Sequence, residues 1–153
     1  RIIILTTNKE YIMASIQHVV IDHAVTSAQG IATRGKVHRL PDETAGLTAM
    51  CNWDSGSSGT KATVYIQTSF DNQTTWTDIM AFAFASADAV KYLSVREETA
   101  VVADHVSTTG ALTDDTAVSG IIGQHIRAQI VTTGTYSGGA NMNVRVRIEN
   151  GNN

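Results

Sequence analysis

The feature that most constrains this chain is the polar octet Ser69-Phe70-Asp71-Asn72-Gln73-Thr74-Thr75-Trp76, set between two runs with strand patterning. Before it, Ala62-Thr63-Val64-Tyr65-Ile66-Gln67-Thr68 alternates apolar and polar residues. After it, Trp76-Thr77-Asp78-Ile79-Met80-Ala81-Phe82 resumes an apolar pattern. A short polar loop between two such runs reads as a β-hairpin. The hairpin sets the fold class, because the rest of the chain offers more strands and almost no helix.

Ser15-Ile16-Gln17-His18-Val19-Val20-Ile21-Asp22-His23-Ala24-Val25 is β-branched and partly alternating. Arg34-Gly35-Lys36-Val37-His38-Arg39-Leu40 reads as a short strand stopped by Pro41, and residues 46–54 as the next. Asp54-Ser55-Gly56-Ser57-Ser58-Gly59-Thr60 is a loop by composition. The Ala-rich stretch 80–90 reads as strand followed by loop, and Lys91-Tyr92-Leu93-Ser94-Val95 with Thr99-Ala100-Val101-Val102 as one or two further strands. Residues 107–119 are polar and loop-like. Residues 121–131 form a long strand in which Gly123 marks a bulge or a bend. Gly134-Thr135-Tyr136-Ser137-Gly138 supplies turn positions before the strictly alternating Asn141-Met142-Asn143-Val144-Arg145-Val146-Arg147-Ile148, so these last two strands are expected to form a second hairpin. The expectation is an all-β, antiparallel β-sandwich or jelly roll of about seven to nine strands with little or no helix. A parallel sheet would need crossover helices, and none is visible.

The octet resembles the Asp-box hairpin, Ser-x-Asp-x-Gly-x-Thr-Trp, at Ser69, Asp71, Thr75 and Trp76, with Gln73 where that pattern has Gly. The resemblance implies a structural loop in which Asp71 accepts hydrogen bonds from backbone N–H groups of its own turn and the Trp76 ring folds onto the hairpin. The motif occurs once here, whereas propellers repeat it blade after blade.

With 153 residues the chain is long enough to bury a core as one domain. Hydrophobic residues make up 42%, an ordinary share, but only 16% are charged, so Thr, Ser, Asn and Gly must supply much of the surface. Such a surface suits a subunit packed against neighbours. A net charge of −3 leaves no electrostatic footprint for nucleic acid. No apolar run approaches the roughly 18 residues that a membrane-spanning helix requires. The single cysteine, Cys51, lies in an apolar run and reads as a buried, inert thiol.

No catalytic set emerges. His18 and His23 are five apart and face opposite sides of a strand, while His38, His105 and His125 are isolated, so no metal site is expected. Asp114-Asp115, with Asp104 upstream, reads as a solvated loop and not as a calcium loop. Asp42-Glu43 and Glu97-Glu98 are adjacent pairs that diverge in extended chain. Neither a nucleophile elbow nor a phosphate-binding loop is present. The chain is therefore expected to be non-enzymatic and to carry no cofactor. Arg145 and Arg147 share one face of the last strand, with Arg127 on its expected partner, and that cationic face meets either an acidic neighbour or solvent. Trp53 and Trp76 are expected in the core; a sugar platform would instead need two of the rings Trp53, Trp76, Tyr65, Tyr92 and Tyr136 to converge on one surface.

The beginning of the chain is unusual. Met13-Ala14-Ser15 reads as a bacterial start, and Lys9-Glu10 can be encoded by a ribosome-binding sequence just upstream of it. Residues 1–12 are thus expected to be a translated leader or an N-terminal arm whose Ile2, Ile3 and Ile4 dock on a neighbour, with residues 13–153 as the single domain. An intact mass of the native protein decides between the two.

Residues 62–71 with 75–79, and 119–128 with 131–138, are together similar to small proteins encoded in the structural gene clusters of tailed bacteriophages, the likeness running from about Lys61 to Ile148. It implies a non-enzymatic virion β-sandwich but does not by itself place it at capsid, neck or tail; the expected location is the particle exterior. The expected function is a head-decoration (cement) protein that binds the major capsid protein or other virion subunits as a homo-oligomer, a trimer being favoured. The alternative is a tail or collar adsorption module that binds host carbohydrate.

Overall fold

The structure, a computed structural model, describes residues 17–25, 33–57, 59–98, 100–101 and 103–151. Among these residues there is no helix. Ten strand segments run β1 (Gln17–Ala24), β2 (Thr33–Arg34), β3 (His38–Arg39), β4 (Thr44–Asp54), β5 (Lys61–Ser69), β6 (Thr77–Phe84), β7 (Ala89–Arg96), β8 (Thr116–Ala117), β9 (His125–Thr133) and β10 (Asn141–Asn150). They make two sheets. The first has the order β1-β10-β4-β7; the second has the order β2-β9-β5-β6-β8, with β3 also on β9. Every pairing is antiparallel.

The pairings nest. β5 pairs β6, β4 pairs β7, the interrupted β2/β3 pairs β9, and β1 pairs β10. The chain is thus one long antiparallel ribbon folded back and forth between the two sheets, which is the strand order of a jelly roll. The tip of that ribbon is the octet 69–76. The fold class read from the sequence is the one observed.

Alternation builds the core. On β10, Met142, Val144, Val146 and Ile148 are buried while Arg145 and Arg147 are exposed. On β4, Leu47, Ala49, Cys51 and Trp53 are fully or almost fully buried. From the second sheet come Val64, Ile66, Met80, Phe82, Phe84, Ile126, Ala128 and Ile130, all in one cluster with them. Trp53 joins the layers. Its ring lies 6.4 Å from Phe84 and meets Tyr136 edge-on at 5.6 Å, and its indole N–H donates to the Ala85 carbonyl. Burying each large side chain contributes roughly 1.5–3 kcal/mol, so this layer is the main source of stability.

Three local expectations are corrected. β9 and β10 do not form a hairpin, because they lie in different sheets. The connection 134–140 crosses between layers; Tyr136 is buried within it and its hydroxyl donates to the Lys61 carbonyl at 2.6 Å. The ring occupies the space beside Gly59, where a Cβ would come within 2.1 Å of it. The expected strand over residues 34–40 is broken into β2 and β3, and the one over residues 121–131 begins at His125. Gly123 precedes that strand, pressed so close to the hairpin that a Cβ would sit 2.2 Å from the Ser69 carbonyl oxygen. Of the stretch 99–102, Ala100 and Val101 are not strand, and Thr99 and Val102 lie outside the described residues. So do Ile2, Ile3 and Ile4 with the whole of residues 1–12, and the side chains of His18 and His23.

Candidate functional site

The ribbon tip is built as its residue types dictate. The Asp71 carboxylate accepts from the Thr75 backbone N–H and the Thr75 hydroxyl, both at 2.7 Å, and from the Ser69 hydroxyl at 3.0 Å. Those bonds, the Thr75 N–H first, hold the Asp71 carboxyl below its ordinary pKa. The Ser69 hydroxyl in turn accepts from the Gln73 N–H. Gln73 has φ 73°, in the left-handed region that favours glycine, which accounts for Gly at this place in the pattern it resembles. Ser69, Asp71 and Thr75 therefore act as the sequence suggested.

Trp76 departs from expectation. It is half-buried and lies outside the core cluster; its N–H caps the Gln73 carbonyl. Its ring carries the Arg127 guanidinium 4.1 Å from the centroid. Arg127 is the second correction. It is only 6% exposed and sits on β9 in the second sheet, so it shares no face with Arg145 and Arg147 on β10. Its Nε donates to Gln67 at 2.7 Å.

Gln67 belongs to a buried polar network that covers the outer face of the second sheet. Its amide donates to Asp78 at 2.8 Å and to Gln129 at 3.0 Å. Asp78 is fully buried. Its carboxylate also accepts from the Thr108 hydroxyl and from the backbone N–H groups of Gly110, Ala111 and Leu112. A buried carboxylate is tolerable only when so satisfied. The network ties the long connection 103–124 over β5, β6 and β9. Farther along, Asp115 clamps the edge: Lys91, pointing inward from edge strand β7, reaches its carboxylate at 2.7 Å and the Ala83 carbonyl at 2.5 Å. Inward-pointing charge of this kind blunts an exposed sheet edge. Asp114 pairs with Lys61, so the two acids expected in a solvated loop are both engaged by lysines.

The outer face of the first sheet is different. It carries Thr48, Met50 and Asn52 from β4, Val90, Tyr92 and Ser94 from β7, and Asn143, Arg145 and Arg147 from β10. Arg145, Met50 and Tyr92 stand in one cross-strand row. Tyr92 is 63% and Val90 51% exposed. On this face Arg96 pairs with Glu149, Arg145 and Arg147 stand exposed, and Asp54 is exposed at the end of β4.

Elsewhere Cys51 is buried, and burial pushes its thiol far above the ordinary range. Trp53 and Tyr136 do converge, but inside the protein, so they form no sugar platform. Among the described residues no group of three or more His, Cys, Asp or Glu side chains is arranged to hold a metal ion. Sequence reasoning missed Asp78, Gln67 and Gln129, whose only signal was polarity inside strand patterns, and Tyr92, which an alternating edge strand places outward. No protein-family model matches this sequence, and no curated protein matches it.

Proposed function

We propose that the chain is a non-enzymatic structural protein of a tailed-phage particle, a head-decoration protein that works by docking the open face of its first sheet on the capsid shell. The observation that carries this reading is an asymmetry. The second sheet is roofed by the protein's own connection 103–124 through Asp78 and Gln67. Among the described residues no connection covers the first sheet, where Tyr92 and Val90 are exposed and Met50 stands beside two arginines. Exposed aromatics and arginine are the residue types that anchor protein interfaces, and Arg145 and Arg147 are placed to meet carboxylates of a partner surface. The jelly-roll order and the likeness of residues 61–148 to phage structural proteins support the same reading, and many copies on one shell would add avidity.

The test is to titrate purified protein onto shells that lack it, and to follow sedimentation of the bound fraction. Wild type is expected to bind to saturation. Tyr92→Ala with Arg145→Glu is expected to weaken binding at least tenfold with an unchanged unfolding midpoint, since both side chains are exposed. Equal binding by the variant, or no binding by wild type, removes the proposal.

A further inference from the structure

We propose that the cleft at the end of the sandwich where β4 begins is the seat of the chain's own N-terminal segment, which lays Ile2-Ile3-Ile4-Leu5 into it. The cleft holds about 360 Å³, within the roughly 300–1,000 Å³ typical of ligand-sized clefts. Leu40, Pro41, Phe70 and Ile122 supply its apolar lining, and the carboxylates of Asp42 and Glu97 stand at it. Phe70 is 60% exposed there although it sits in an otherwise polar tip.

Three observations name the occupant. The first is charge. The lining holds two exposed carboxylates and no lysine or arginine. Arg39, outside the lining, reaches Asp42 only at 3.6 Å with both side chains exposed, a contact that contributes little. The cleft thus favours an apolar ligand that brings positive charge with it. The second observation is the sequence. Ile2-Ile3-Ile4-Leu5 is an apolar run bracketed by Arg1 and Lys9, with no acid before Glu10. The third is reach. β1 and β4 are both antiparallel to β10, so both are entered from the same end. Gln17, which opens β1, pairs with Arg147, and Arg147 pairs with Thr48. Thr44 at the cleft lies four residues before Thr48 (48 − 44). That is about 13 Å along the strand and about 10 Å across two strand spacings, so Gln17 stands roughly 16 Å from the cleft. Residues 6–16 join Leu5 to Gln17, and eleven residues span up to ~36 Å.

The tether decides between occupants. A short linker holds a segment at an effective concentration in the millimolar range, so a seat of weak intrinsic affinity fills. The first-sheet face of a second copy also combines an exposed aromatic with arginines, but a flat sheet face does not enter a cleft. An anion would meet Asp42 and Glu97 as like charges. The seat is preformed on the hairpin side, since Asp71 braces the tip that carries Phe70 and Gly123 packs against the Ser69 carbonyl. The inference does not rest on the shell-docking proposal, which uses the first sheet.

The experiment places a nitroxide on the full chain at Thr6→Cys and reads paramagnetic broadening of backbone amides by NMR. Cys51 is buried and does not take the label in the native protein. The amides of Phe70, Glu97 and Gln124 are expected to broaden strongly, and those of Asp54 and Ala89, at the opposite end of the first sheet, to stay sharp. Ile3→Asp with Ile4→Asp should abolish the broadening. Asp42→Lys with Glu97→Lys, both at exposed positions, should reduce it about twofold. Should that charge-reversed variant fail to fold, the Ile3 and Ile4 variant decides alone. Mixing spin-labelled chains with isotope-labelled chains that carry no nitroxide should give no broadening. The inference is overturned if Phe70, Glu97 and Gln124 stay sharp, if both ends broaden alike, if the broadening survives Ile3→Asp with Ile4→Asp, or if it appears in the mixture, which would seat a neighbour's segment instead. Tyr92→Ala with Arg145→Glu should leave the pattern unchanged, which separates this outcome from that of the docking proposal.

Discussion

Replacing Asp78 by alanine should release the roof of the second sheet. The substitution strands five donors at once: the Gln67 amide, the Thr108 hydroxyl and the N–H groups of Gly110, Ala111 and Leu112. Removing one partner from a buried, charged network costs about 3–5 kcal/mol. Ala111 is exposed and Gly110 only half-buried, so water can reach part of what is left, and ~3 kcal/mol is the appropriate figure. A domain has about 5–15 kcal/mol in total. With a urea slope of about 2 kcal/mol per molar, the midpoint should fall by ~1.5 M. Trp53 in the core and Trp76 at the tip report the transition by fluorescence. Amide exchange at Gly110, Ala111 and Leu112 should lose protection ahead of β4 and β10. Asp78→Asn keeps one acceptor oxygen but turns an amide NH2 toward donors, so it should fall between wild type and Asp78→Ala. A midpoint shift under ~0.3 M, or unchanged exchange at those three amides, would refute the claim that Asp78 anchors the connection.

Other outcomes follow from the same contacts. Gly123→Ala should destabilise the protein by about 1–3 kcal/mol in urea melts, because the new Cβ meets the Ser69 backbone and not a movable side chain; a neutral effect would contradict the close approach. Gln73→Gly should raise stability by ~0.5–1 kcal/mol by relieving the left-handed conformation at φ 73° while keeping both backbone bonds. Asp71 and Asp88 are held below the ordinary carboxylate range by the Thr75 and Ser55 N–H groups respectively, and in Asp115 burial is outweighed by Lys91 and the Ala83 N–H. Folded pKa values below unfolded ones mean that the unfolded chain takes up protons first as pH falls. This stabilisation is therefore complete above the carboxylate range and is lost as pH drops through the folded values, and Tm should decline below about pH 4; a Tm that rises on acidification from pH 5 to 3 would reverse the sign. Cys51 should resist thiol reagents in the native protein and react fully in denaturant.

Much of the fold was legible because it is written in alternation over short distances. The β5–β6 hairpin shows both the period-2 pattern and the polar tip, and β10 alternates so strictly that its buried face could be read residue by residue. What sequence could not show is which sheet a strand joins. The segment 134–138 has the composition of a tight turn, yet Tyr136 needs a buried seat against Trp53 and carries the chain across the layers. Arg127 looked like a surface cation because its cover, Trp76 and Gln67, lies 51 and 60 residues away (127 − 76 and 127 − 67). Asp78 is hidden for the same reason: four of its five donors sit 30–34 residues downstream in a segment with no regular pattern. Of the named site residues, Ser69, Asp71 and Thr75 were readable because their partners are within four residues.

The central claim, that this jelly roll functions by laying its open sheet on a phage shell, is tested most directly by cryo-microscopy of purified particles. The account predicts hundreds of copies spread over the capsid, with Tyr92, Met50 and Arg145 turned toward the shell. A few copies at one vertex, or a shell contact made through the roofed sheet, would contradict it.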